Sequence, residues 1–86
     1  MEDLRFKINK DGKEVECHVI ATYHDDERNK DFIVYTDKTY NDKGELNVYY
    51  SLYEEVDNKI RLIEIKDNED RKIGLELIQE LLKDLK

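Results

Sequence analysis

Apolar and polar residues alternate along most of the chain and then change period. Leu4, Phe6 and Ile8 are separated by Arg5, Lys7 and Asn9, the period of two that marks a strand with one buried face, and they predict a first strand over residues 4–9. Asp11-Gly12 follows between two alternating runs. Both residues tolerate the positive φ of a tight hairpin turn, so a hairpin is expected there. The second strand is predicted over 14–23, with Val15, Cys17, Val19, Ala21 and Tyr23 on one face and Glu14, Glu16 and His18 on the other.

The wholly polar HDDERNK reads as a loop. A third strand over 32–36 is apolar on both faces, as for a strand covered from two sides. Residues 37–45 carry Asn41, Asp42 and Gly44 and read as a long turn. The fourth strand, 46–53, puts Leu46, Val48, Tyr50 and Leu52 opposite Asn47, Tyr49, Ser51 and Tyr53. An acidic turn leads to a fifth strand over 59–65.

Beyond it the apolar positions Ile73, Leu77, Ile78, Leu81, Leu82 and Leu85 recur at three and four, which predicts an amphipathic helix over 68–85. Asp67 or Asn68 can cap it, and early Glu69 and Asp70 with late Lys83 and Lys86 suit its dipole. Gly74 inside the helix either marks a close approach to the sheet or is simply tolerated. Successive strands followed by one helix predict a single small α+β domain over residues 1–86, an antiparallel meander of about five strands with the C-terminal helix packed on it.

Composition narrows the partners. The chain has 86 residues, room for one core, and 43% of them are charged, yet the apolar residues gather into runs of a folded type. A net charge of −7 repels phosphate polymers and anionic membrane surfaces, so nucleic acid is disfavoured and no membrane contact is expected. Cys17 has no second cysteine to pair with, and MEDLRFKINK lacks the apolar run of a signal peptide, so a cytoplasmic location is expected.

No constellation of catalytic residues emerges, and no enzymatic activity is expected. Cys17 and His18 are strand neighbours and point to opposite faces, so they form no dyad; Cys17 is expected in the core and His18 toward solvent. His18 and His24 are six residues apart, roughly 20 Å along a strand, too far to share a metal. The 37–48 segment lacks the glycine and the final glutamate of a calcium loop, having Asp42 and Val48 there. The three glycines Gly12, Gly44 and Gly74 are scattered and build no phosphate-binding loop, so neither metal nor cofactor is expected.

Tyrosines remain as candidates. Tyr35, Tyr49 and Tyr53 share the face opposite Val34, Val48 and Leu52 and form a candidate interaction surface. Such aromatics also stack on single-stranded bases, but base-stacking modules add a positive groove, and here cations are outnumbered. A non-enzymatic module contacting another protein, or a second copy of itself, is therefore the leading expectation; an RNA or single-stranded nucleic-acid accessory protein is the alternative.

Asp11-Gly12 with Glu14 and Glu16, then FIVYTD, Gly44, NVYYSLY and Ile63-Glu64 before an acidic helix, resembles the DUF1292 family of small acidic bacterial proteins. The resemblance spans nearly the whole chain. It implies a single cytosolic domain and brings with it no activity, cofactor or catalytic residue.

Overall fold

A computed structural model describes residues 5–84. It runs β1 (Arg5–Lys10), β2 (Lys13–Asp25), β3 (Lys30–Tyr40), β4 (Leu46–Val56), β5 (Lys59–Ile63) and α1 (Asn68–Asp84). The strands pair antiparallel in sequence order, and the helix lies on the sheet: an α+β meander. Leu4 and Leu85, expected at the ends of the first strand and the helix, lie outside the described residues.

Two hairpins have two-residue turns with both φ angles positive, Asp11 and Gly12 at 52° and 77°, Asp57 and Asn58 at 53° and 66°. That geometry matches the right-handed twist of the strands it joins. The acidic turn is thus shorter than expected, because Glu54, Glu55 and Val56 still pair with Arg61, Ile60 and Lys59. β5 is also shorter, ending at Ile63.

The middle strands depart further from simple alternation. A bulge between Val19 and Ala21 inserts a residue into β2, so Val19 pairs with Tyr35 while Ala21 already pairs with Val34. The insertion reverses the parity of everything after it. Ala21 and Tyr23 consequently lie on the opposite face from Cys17, not on the same one as the alternation predicts. β3 runs to Tyr40 because a second irregularity, between Thr36 and Tyr40, extends it through the expected turn.

Side-chain bonds hold that second bulge. The Thr36 hydroxyl donates to the Asn47 carbonyl at 2.7 Å and accepts from the Lys38 amide at 3.1 Å. Asp37 accepts from the Thr39 amide at 3.1 Å. The remaining turn is closed by Asn41, whose side-chain oxygen accepts from the Lys43 and Glu45 amides.

The helix covers the face that carries Phe32, Val34, Val48, Tyr50 and Leu52. Asp67 caps it, accepting from the Glu69 amide at 2.9 Å. At Gly74 the helix closely approaches the sheet: a Cβ there would lie 2.1 Å from the Tyr50 ring. Ile73, Leu77, Ile78 and Leu81 turn inward, whereas Leu82 is 45% exposed.

The other face is dried by the sheet itself. In a flat sheet, β1 and β5 would be separated by four strand spacings, about 19 Å. Instead Phe6 and Ile8 of β1 join Ile60 and Leu62 of β5 in one cluster with Cys17, Val15, Val19, Ile33, Tyr35 and Tyr53. The sheet is therefore curled, with β1 and β5 brought toward each other over a concave, apolar interior. β3 is the strand covered twice: Phe32 and Ile33 have no exposure and Val34 has 2%.

Gly74→Ala tests the close approach. Added helix propensity, worth up to about 1 kcal/mol, is outweighed by overpacking against Tyr50, with a net loss of about 1–2 kcal/mol expected in urea unfolding. Gly74→Ala combined with Tyr50→Val recovers part of that loss. A Gly74→Ala protein more stable than the parent contradicts the packing described.

Candidate interaction site

Among the described residues β1 pairs only with β2, and β5 only with β4, so each keeps one edge of backbone N–H and C=O groups without a strand partner there. Curling turns these edges toward one another across a seam. A cleft of about 490 Å³ lies between Arg5, Phe6 and Lys7 on one side and Glu55, Lys59 and Ile60 on the other. It continues into a second space of about 680 Å³ between Ile8, Asn9 and the Arg61–Leu62 region.

The three candidate tyrosines lie behind this seam, in the interior. Tyr35 is held between Phe6, edge-on with centroids 5.3 Å apart, and Tyr49, tilted at 5.6 Å. Lys10 stands 5.8 Å from the Tyr49 ring centroid. Tyr53 is placed across from Leu62 in the β4–β5 ladder. All three are half-buried, and burial pushes the Tyr35 and Tyr53 hydroxyls to higher pKa.

Cys17 is completely buried beneath Phe6 and Ile33, and that burial pushes its thiol pKa up, away from the reactive thiolate. His18 is on the helix-side face, as the alternation requires, but it is half-buried where solvent exposure was expected. Its Nδ1 is buried and has no hydrogen-bond partner among the described residues. The physical reason is its position beside Thr36 in the β2–β3 ladder, inside the sheet's convex side and not at a rim.

Asp37 uses its oxygens internally. Burial opposes its ionisation, but donation by Thr39 and by the Tyr49 hydroxyl at 3.3 Å wins, leaving its pKa below the ordinary carboxylate value. Among the described residues no group of three His, Cys, Asp or Glu side chains converges in a way that could hold a metal ion. No helix among them is long and apolar enough to cross a membrane.

One polar cluster was hidden from sequence reasoning. Asp70, 1% exposed, meets Lys30 Nζ at 2.7 Å and Arg28 Nη1 at 2.8 Å, while Arg28 also bonds Asp67. The Arg28–Asp70 approach is an ion contact without hydrogen-bond alignment, so Lys30 provides the directional bond. The cluster fastens the β2–β3 loop to the first turn of α1. Asp70 sits forty positions from Lys30, and no local pattern announces the pairing.

Together these features define a small α+β domain whose accessible irregularity is an open seam between two sheet edges. Compared with family models, with curated proteins and with solved structures, the chain matches none.

Removing Asp70 frees two cations that are 27% and 34% exposed and can turn to water, so Asp70→Ala is expected to cost about 1.5–3 kcal/mol. Replacing Arg28 and Lys30 together by Met strands the buried carboxylate and is expected to cost more, about 3–5 kcal/mol, in the same unfolding measurement. Equal or reversed costs contradict the asymmetry.

His24 bonds Asp31 at 2.7 Å, and this bond holds its pKa above the ordinary 6.5. Protonated His24 thus adds stability that is complete below the ordinary value and is lost as pH rises through the higher folded value. An NMR titration should show the His24 midpoint falling toward 6.5 in Asp31→Asn. An unmoved midpoint would remove Asp31 as the cause.

Proposed function

We propose that this protein is a non-enzymatic binding module that engages a protein partner by strand addition at the free edges of its curled sheet. The observation that carries this reading is the seam, where two edges with unpaired backbone groups border clefts floored by Phe6, Ile8, Ile60 and Leu62. An extended segment laid there gains main-chain hydrogen bonds from an edge and apolar contact from the floor. Tyr35, Tyr49 and Tyr53 lie on the interior side of this surface.

The tyrosine arrangement favours protein contact over base stacking. Stacking needs a ring face open at an accessible surface, and Tyr35 is packed between Phe6 and Tyr49 in the interior cluster. Membership of the DUF1292 family is compatible with a binding module and is proposed on the sequence segments alone.

A second copy of the chain is one partner to test. Light scattering over a concentration series, combined with amide exchange, separates the cases. Edge-mediated self-association gives a doubled mass together with slowed exchange in β1 or β5. A doubled mass with unprotected edges overturns edge pairing, and a monomer at every concentration restricts the module to other partners.

A further inference from the structure

The two edge strands differ from the rest of the molecule in charge. β1 (RFKINK) and β5 (KIRLI) hold five of the fifteen cations and none of the 22 carboxylates. The strands they pair with supply carboxylates, Glu14 and Glu16 on β2 and Glu54 and Glu55 on β4, in a chain of net charge −7. Arg5 and Lys7 reach across to Glu16 and Glu14 of β2 at 3.5 and 3.4 Å, and Arg61 to Glu54 of β4 at 3.5 Å; all are loose, solvent-exposed pairs. Lys59 has no carboxylate within 4.0 Å among the described residues.

β2 already displays what β1 accepts as a neighbour. Its Glu14-Val15-Glu16-Cys17 puts Val15 opposite Ile8 and Cys17 opposite Phe6 on the concave face, and its glutamates diagonal to Lys7 and Arg5 on the convex face. The free side of β1 presents the same alternation to the seam. A segment entering there meets Arg5, Lys7, Lys59 and Arg61 on one face and Phe6, Ile8, Ile60 and Leu62 on the other, with Glu14, Glu55 and Asp57 also bordering the clefts.

A second copy fits poorly. Its own free edges are β1 and β5, so edge-to-edge pairing would set Arg5, Lys7, Lys59 and Arg61 against their counterparts, and like charges opposite one another in a ladder repel. We propose that the occupant of the β1–β5 seam is an extended segment of a different protein, in which acidic residues alternate with β-branched apolar ones. Carboxylates lie along Lys7 and Lys59, and the apolar side chains enter the floor. This inference rests on the edge-addition reading above and specifies the partner's chemistry.

Edge lysines are also a common device against aggregation, and the experiment separates the two roles. Synthetic peptides of about six residues, a typical strand length, in which valine alternates with glutamate, threonine or lysine, are titrated into the intact protein at low salt. Binding is read by calorimetry, and its location by amide exchange. The glutamate peptide is expected to bind at least about tenfold more tightly than the lysine peptide, as two or three cross-strand charge pairs imply. It slows exchange in β1 and β5 but not in α1, and its affinity falls as salt rises.

The double variant Lys7→Glu with Lys59→Glu changes exposed side chains; with an unaltered far-ultraviolet spectrum it should abolish or reverse the preference. Equal binding of glutamate and threonine peptides with edge protection overturns the acidic selectivity and leaves edge addition standing. No edge protection with any of the three peptides overturns both.

Discussion

A strand with no face to give to water dictates the rest of this fold. Phe32, Ile33 and Val34 are consecutive, so their side chains point alternately to the two sides of β3, and each is worth about 1.5–3 kcal/mol when removed from water. One helix can cover one side only. The sheet therefore covers the second side with itself, and the bulges in β2 and β3 supply the added twist and bend that let it do so. The open seam is the geometric residue of that solution, since five strands curl without closing.

This explains which parts of the architecture were legible beforehand. Alternation identified the strands, Asp11-Gly12 identified a turn, and three-and-four spacing identified the helix, because each depends on neighbours within a few positions. Tyr50, Val48 and Leu52 could likewise be grouped by parity, and they do share the helix side. Parity fails beyond Ile20, where one inserted residue moves Ala21 and Tyr23 across the sheet. No composition signal marks that insertion. The Asp37–Thr39 bonds, by contrast, had a local cue in the Asp-Lys-Thr segment, whose side chains readily bond the backbone two residues on.

The same limit applied to the candidate site. Tyr35, Tyr49 and Tyr53 could be assigned to one face, but what lay over that face depended on β1 and β5 meeting, a contact between opposite ends of the sheet. Similarly, Asp70 looked like an ordinary first-turn carboxylate suited to the helix dipole. Its burial between Arg28 and Lys30 arises only when the β2–β3 loop and the helix start are brought together.

The attachment of α1 is uneven along its length. Its first turn is tied by the Asp67–Arg28–Lys30–Asp70 cluster and its second is seated in the notch where Gly74 meets Tyr50, whereas the far end has Leu82 half in solvent above a space bordered by Leu46 and Val48. Under mechanical load applied beyond Lys83, the helix would peel from its far end one turn at a time, each step breaking only apolar contact. Peeling would halt at Tyr50 and the ion cluster, where several bonds must yield at once, so detachment of the last element is resisted chiefly at a single clasp near its beginning.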